Sequence, residues 1–265
     1  MPDDTRSFDF ATTPLARLAT FAPSIAYPIA DALGAMRNRI VRRWPAVAEL
    51  RSLFPDRDDY PGLAARIGAL NERNRVLVRC IVRCGIEPVS PLVSISPELA
   101  ILEGPNILAT FHVGAMQALG PGLEQLSRPV IGFRLGRLYD TGPNLTMESV
   151  EGSTESRAAS LVRAANHLRA GGFVSLAIDY VTDDFIETRC LGQTLRLAPG
   201  AFALARWSGA PIRPVVARWS SSMIHIDVGQ SIATPDDAAS WLERYLSDSP
   251  SELTLGLLRN LLGVS

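Results

Sequence analysis

Three histidines are the side chains of this sequence best suited to take up a proton near neutral pH: His112, His167 and His225. His167 lies in a helical pattern beside Arg163 and Arg169 and reads as a surface position. His225 falls on the polar side of an alternating strand and reads as exposed. His112 directly follows the apolar run Ile107-Leu108-Ala109-Thr110-Phe111, which places it at the carboxyl end of a buried strand. In an open α/β sheet that edge is where ligands bind. Gly114, two residues on, allows close approach of backbone or substrate. A helix is expected from about Ala115, which would turn its free N–H groups toward the same crevice. The plainer alternative is a histidine that only caps a strand end.

The stretch His112-Val113-Gly114-Ala115-Met116-Gln117 suggests a partner. Five steps along a regular helix are ~500°, so His112 and Gln117 would point ~140° apart. They meet only if His112 stands before the helix, on the turn, with Gln117 in the first helical turns. Gln117 would then accept a hydrogen bond from one ring nitrogen, fix the tautomer and leave the other nitrogen as the base.

Other chemistries are excluded or unsupported by composition. All 26 basic residues are Arg, so Schiff-base and P-loop lysine chemistry are ruled out. A net charge of −1 offers no basic footprint for nucleic acid. Cys80, Cys84 and Cys190 do not make a four-ligand metal set, and they read as reduced, packed thiols.

The elements that would have to position His112 lie in the second half of the chain. Residues 107–111, 129–133, 173–178 and 212–217 are short apolar runs with strand chemistry, and 223–228 alternates. Helical patterns over 153–170 and 199–208 lie between them, each stopped by glycine. Thr234-Pro235-Asp236-Asp237 opens a C-terminal helix. Upstream, a long helix is expected over 63–84, with Gly85 as its stop. The pattern predicts an α/β chain of 265 residues: a mixed, largely buried sheet flanked by helices, with a helical N-terminal segment over 1–60 and an α/β domain over 61–265, one structural unit overall.

The acidic start Met1-Pro2-Asp3-Asp4 does not read as a secretory signal, and Pro23 and Pro28 interrupt the longest uncharged N-terminal stretch, so no membrane-spanning helix is expected. Residues 26–44 run from apolar to Arg37, Arg39, Arg42, Arg43 and Trp44. That order suits a helix lying on an anionic membrane surface, and equally an ordinary helix with a solvated basic face.

From about residue 107 to 232 the sequence resembles the late acyltransferases of bacterial lipid A biosynthesis, within the lysophospholipid and glycerolipid acyltransferase superfamily. The superfamily mark is H-x-x-x-x-D/E, and this branch shows H-x-G-x-W-E; here His112 and Gly114 match, while Met116 and Gln117 depart. Val130-Ile131-Gly132-Phe133-Arg134 is similar to the branch's second strand, ending in Arg. Leu168-Arg169-Ala170-Gly171-Gly172, leading to Leu176-Ala177-Ile178-Asp179, is similar to its helix–Gly–strand–Asp segment, with Tyr180 in place of Gln. Residues 191–200, ending in Pro199-Gly200, and 205–215 match most closely, and Leu53-Phe54-Pro55 resembles the family's upstream segment.

The resemblance implies transfer of an acyl chain from a thioester of acyl carrier protein or coenzyme A to a hydroxyl or amine, with no metal and no organic cofactor. His112 would be the general base and Gln117 would hold it. Backbone N–H groups near Pro199 and Gly200 would receive the oxyanion, Arg134 would meet an anionic group, and Asp179 would be a secondary candidate. The acceptor would be a lipid or glycolipid. Two alternatives stay open: a soluble acyltransferase acting on a small metabolite or carrier-bound intermediate, and a non-catalytic acyl-chain-binding homologue. The expected location is cytoplasmic, with a peripheral seat on the cytoplasmic face of the inner membrane left open.

Overall fold

The computed structural model describes residues 9–41, 45–134, 142–149, 154–179 and 184–263. The first elements are helices: α1 (Asp9–Ala19), α2 (Pro23–Val41), α3 (Val47–Leu53) and the 25-residue α4 (Tyr60–Cys84). The start of α4 is set by Asp59, whose carboxylate accepts the Gly62 N–H, and by a proline in the first turn. Gly85, at φ 75°, stops it. α2 crosses α4 at two glycines. A Cβ on Gly34 would stand 2.4 Å from the Gly68 carbonyl oxygen, so a side chain there would force the backbones apart.

Strands and helices then alternate. In chain order they are β1 (Val93–Ile95), α5 (Pro97–Ala100), β2 (Asn106–Thr110), α6 (Leu119–Leu123), β3 (Val130–Arg134), β4 (Leu145–Ser149), α7 (Thr154–Arg169) and β5 (Phe173–Ala177). The hairpin β6 (Ile186–Cys190) and β7 (Gln193–Leu197) follows, then α8 (Gly200–Ser208), β8 (Ile212–Ser220), β9 (Met223–Val228), α9 (Pro235–Asp248) and α10 (Leu255–Leu262).

Seven strands form one sheet in the order β1-β9-β8-β2-β5-β3-β4. Its pairings are parallel except that of β8 with β9. The chain therefore folds as the mixed, largely buried sheet flanked by helices that its patterning predicts. Every residue of β2, the central strand, is buried. Ile107 and Ala109 face a cluster shared with α7, α8, α9 and α10, whereas Leu108 faces one shared with α1, α2 and α6. Burial of each large aliphatic side chain contributes ~1.5–3 kcal/mol.

This two-sided packing places the site. The connection leaving β2 carries α6 over one face, and that leaving β5 carries α8 over the other. Adjacent strands whose connections part in this way leave a crevice at their carboxyl ends. The helix expected from Ala115 does not form. A 3-10 turn over Met116–Ala118 leads into the five-residue α6, because Gly120, Pro121 and Gly122 disfavour a longer helix.

Candidate active site

β2 and β5 pair in parallel, with Thr110 opposite Ala177. The pairing continues one step further, as the Ile178 N–H donates to the Thr110 carbonyl at 2.9 Å. His112 and Asp179, each two residues past its strand, therefore arrive side by side. Asp179 grips His112 twice. Its Oδ2 accepts the His112 backbone N–H at 2.8 Å, and its Oδ1 lies 2.9 Å from the ring Nδ1.

An ionised carboxylate only accepts, so Nδ1 carries the hydrogen and Nε2 is the proton-accepting nitrogen. The Asp179 side chain is 0% exposed, while that of His112 is 24% exposed, so the imidazole reaches solvent and its partner does not. Burial of the ring opposes protonation. The charge of Asp179 and its hydrogen bond outweigh that effect, so His112 holds a proton more tightly than an ordinary imidazole. The pair can thus take a proton from a hydroxyl and stabilise the imidazolium that results.

This arrangement corrects the expected partner. Gln117 sits in the 3-10 turn beyond Gly114, and its Oε1 is buried without a hydrogen-bond partner. The side chain that holds the ring nitrogen is Asp179 instead. Gly114 explains the difference. At φ 55° it is in the left-handed region, and the Ala115 N–H behind it donates to the Ala217 carbonyl at 2.7 Å. The chain is diverted before Gln117, which lies in the 3-10 turn ahead of α6 rather than in a helix.

Gly114 is needed for the close approach of backbone, one of the two approaches its position suggests. A Cβ there would stand 2.2 Å from the Ala217 carbonyl oxygen and 2.7 Å from Glu252 Oε2. The close neighbour is the protein itself. The Gly114 carbonyl accepts from Asn74 Nδ2 at 2.6 Å, and Asn74 Oδ1 accepts from Trp219 Nε1 at 3.0 Å. The N–H groups around the histidine are also committed: Val113 to the Phe111 carbonyl, Gly114 to that of Glu252, each at 2.8 Å. They do not face a crevice as donors.

Pro199 and Gly200 lie at the same edge, because the Ala198 N–H donates to the Ile178 carbonyl at 2.6 Å. Pro199, at φ −74° and ψ −10°, caps α8, and Gly200 is its first residue. Arg134 ends β3, next to β5, at that edge; its side chain lies outside the described residues. Tyr180, Arg42, Arg43 and Trp44 lie outside them altogether, as does the side chain of Arg39.

The other histidines have structural partners. His167 Nε2 lies 3.0 Å from the Pro129 carbonyl, and His225 Nδ1 lies 2.5 Å from Ser94 Oγ. Among the described residues no group of His, Cys, Asp and Glu is arranged to hold a metal ion, and no helix is long and apolar enough to cross a membrane.

Sequence reasoning missed Asn74, Glu252, Thr254 and Asn260, which all contact the His112 turn or Asp179. The only local signal was Thr254, a capping residue before the apolar run Leu255-Gly256-Leu257-Leu258.

No protein-family profile matches the chain, and no curated protein matches it. Among solved structures it is similar to the crystal structure of the 1-acyl-sn-glycerophosphate (LPA) acyltransferase PlsC from Thermotoga maritima. The identity is 13%, 88% of this chain and 97% of that chain are covered, and the TM-score is 0.37.

Proposed function

We propose that the protein is an acyltransferase that moves a fatty acyl chain from an acyl carrier protein or coenzyme A thioester to a hydroxyl or amine of a lipid or glycolipid. The observation that carries the reading is the His112–Asp179 pair at the carboxyl ends of two central parallel strands. The order of the sequence blocks similar to lipid A late acyltransferases supplies the choice of reaction.

In the proposed step, Nε2 of His112 takes the proton of the acceptor hydroxyl as its oxygen attacks the thioester carbonyl carbon. A tetrahedral oxyanion forms. As it collapses, the carbon–sulfur bond breaks and the thiolate leaves, taking the proton back from the imidazolium. The oxyanion needs donors, and those of residues 112–115 are committed. The first-turn N–H groups of α8, beginning at Gly200, are the donors in this reading. Arg134 would bind an anionic group of acceptor or donor.

With Asp179 supplying the carboxylate, Gln117 no longer argues for a non-catalytic homologue. A lipid acceptor rather than a small metabolite is favoured by α2. Phe21, just before it, is 75% exposed, and Ile25, Ile29 and Met36 continue an exposed apolar stripe that includes Pro28 and Ala32. The charged residues Asp31 and Arg37 of this helix are tied to Arg73 and Glu72 of α4. An apolar face on α2, with Arg39, Arg42, Arg43 and Trp44 following its apolar residues in the sequence, fits attachment to an anionic bilayer.

Incubation with acyl carrier protein and coenzyme A thioesters against a panel of lipid and small-molecule acceptors, read by mass spectrometry, tests the activity. Transfer lost in a folded His112→Ala variant is the expected result; near wild-type transfer by that variant refutes the mechanism. Flotation with anionic vesicles tests the surface: Ile25→Asp/Ile29→Asp should lose binding, and absence of wild-type binding at low salt would favour the small-metabolite acceptor.

A further inference from the structure

We infer that α10 is the element that positions the His112–Asp179 pair, through two side chains at its opposite ends, Thr254 and Asn260. The inference rests on the proposed His112 site and assigns it two positioning residues.

The segment leading into α10 runs along the histidine turn. The Glu252 carbonyl accepts the Gly114 N–H at 2.8 Å, and Leu253 forms an antiparallel bridge with Val113. Thr254 comes next and does two jobs with one hydroxyl. It donates to the His112 carbonyl, and it caps α10 by accepting the Leu257 N–H at 3.4 Å. The helix start is thereby fastened to the backbone of the base itself. Gly256, the second residue of α10, faces the imidazole; a Cβ there would lie 3.7 Å from Cδ2 of His112.

The far end of the helix fastens the backbone of Asp179. Asn260 Nδ2 donates to the Asp179 carbonyl at 2.8 Å and to the Arg196 carbonyl at 2.9 Å. Its Oδ1 accepts the Arg196 N–H at 3.1 Å. Two donors and one acceptor in one short planar group are what an amide supplies and a carboxylate does not. α10 is itself immobilised by the buried Leu257, Leu258 and Leu261, and by the Leu255 N–H donating to Asn71 Oδ1 of α4 at 3.2 Å. One short rigid element thus spans both halves of the pair, which come from different strands.

Bases must be held to within a fraction of an ångström, and displacement of ~1 Å can cost ~10²-fold in rate. Neither Thr254 nor Asn260 needs to touch substrate to have that effect.

The test uses Asn260→Ala, Thr254→Val and Thr254→Ser in the full chain, each checked for folding by thermal melting. NMR titration of the imidazoles in ligand-free protein reads the pair directly; His112 is assigned by its loss in His112→Gln. Thr254→Val and Asn260→Ala should bring the His112 pKa down toward, or below, the ordinary ~6.5, because burial remains while the carboxylate is no longer held in place. Both should lower kcat for acyl transfer between ~10- and ~100-fold with KM for the thioester little changed. Thr254→Ser should restore titration and rate. Folded variants that titrate and turn over as wild type overturn the inference. If the wild type transfers no acyl group, the functional reading fails while the titration still decides the role of α10. If Asn260→Ala does not fold, the Thr254→Val and Thr254→Ser pair decides alone.

Discussion

Replacing Asp179 by Asn keeps the shape of the side chain and removes its charge, which makes it the sharpest test of the pair. Asp179 serves two hydrogens, the His112 N–H at 2.8 Å and the ring Nδ1 at 2.9 Å. An amide has one oxygen. If that oxygen keeps the backbone N–H, the NH₂ group faces Nδ1 and makes it an acceptor. The ring proton then moves to Nε2, the nitrogen that has to receive the acceptor's proton. The base is lost although no atom has been removed. The same exchange in a serine-protease triad lowers kcat by ~10⁴, and a loss of ~10³–10⁴-fold, or ~4–5.5 kcal/mol of transition-state stabilisation, is expected here.

The pH profile adds an independent readout. In the proposed step His112 must be neutral, so activity should fall as pH drops through its raised pKa. In Asp179→Asn the burial that lowers the pKa remains and the carboxylate that raises it is gone. The acid limb of kcat/KM should therefore move to lower pH, below ~6.5. Single-turnover transfer from a labelled thioester, measured across pH, supplies both numbers. A folded variant with kcat within ~10-fold of wild type and an unmoved acid limb would refute the pairing as the source of catalysis.

Gln117→Met removes a buried acceptor that has no partner, so stability should hold or rise by ~1 kcal/mol in chemical denaturation, with kcat unchanged. Gly114→Ala places a Cβ against the Ala217 carbonyl at a positive φ, and should lower the unfolding free energy by more than ~2 kcal/mol. Burial pushes the Glu252 carboxyl up to about 7, against the opposing charges of Arg218 and Arg73. A carboxyl raised in the folded state contributes stability below its unfolded value, ~4.5, and loses it as pH climbs through about 7; Glu252→Gln should flatten this decline, worth up to ~3 kcal/mol, in melts run from pH 4 to 8.

The frame of the molecule was legible in the sequence where local chemistry decides it. The apolar runs at β2, β5 and β8, the Thr234 cap and the stops at Gly85 and Gly209 each announce their element within a few residues. No local pattern announces β1, β4, β6 or β7. β1 is a three-residue strand, too short for a pattern to show. The β6–β7 hairpin turns at Leu191 and Gly192, both at positive φ, and leucine is not a residue that signals such a turn.

At the site, His112 stood out because it follows a buried strand, and so did Asp179. Their pairing depends on β5 inserting between β2 and β3, which no local pattern reveals. The Gln117 argument failed for the complementary reason: it placed Gln117 in the first turns of a helix from about Ala115, where the chain instead makes a 3-10 turn before α6.

The placement of α10 also has a consequence for the timing of synthesis. Asp179 follows His112 by 67 residues and Thr254 follows it by 142. At the usual ~5–20 residues per second, His112 leaves the ribosome ~7–30 s before the residue that fastens its carbonyl. Contacts of that span form late, since the long intervening chain must first give up its freedom. Throughout the interval the nascent chain carries an unclamped imidazole. In the proposed mechanism the pair is fully positioned only once Thr254 and Asn260 have docked.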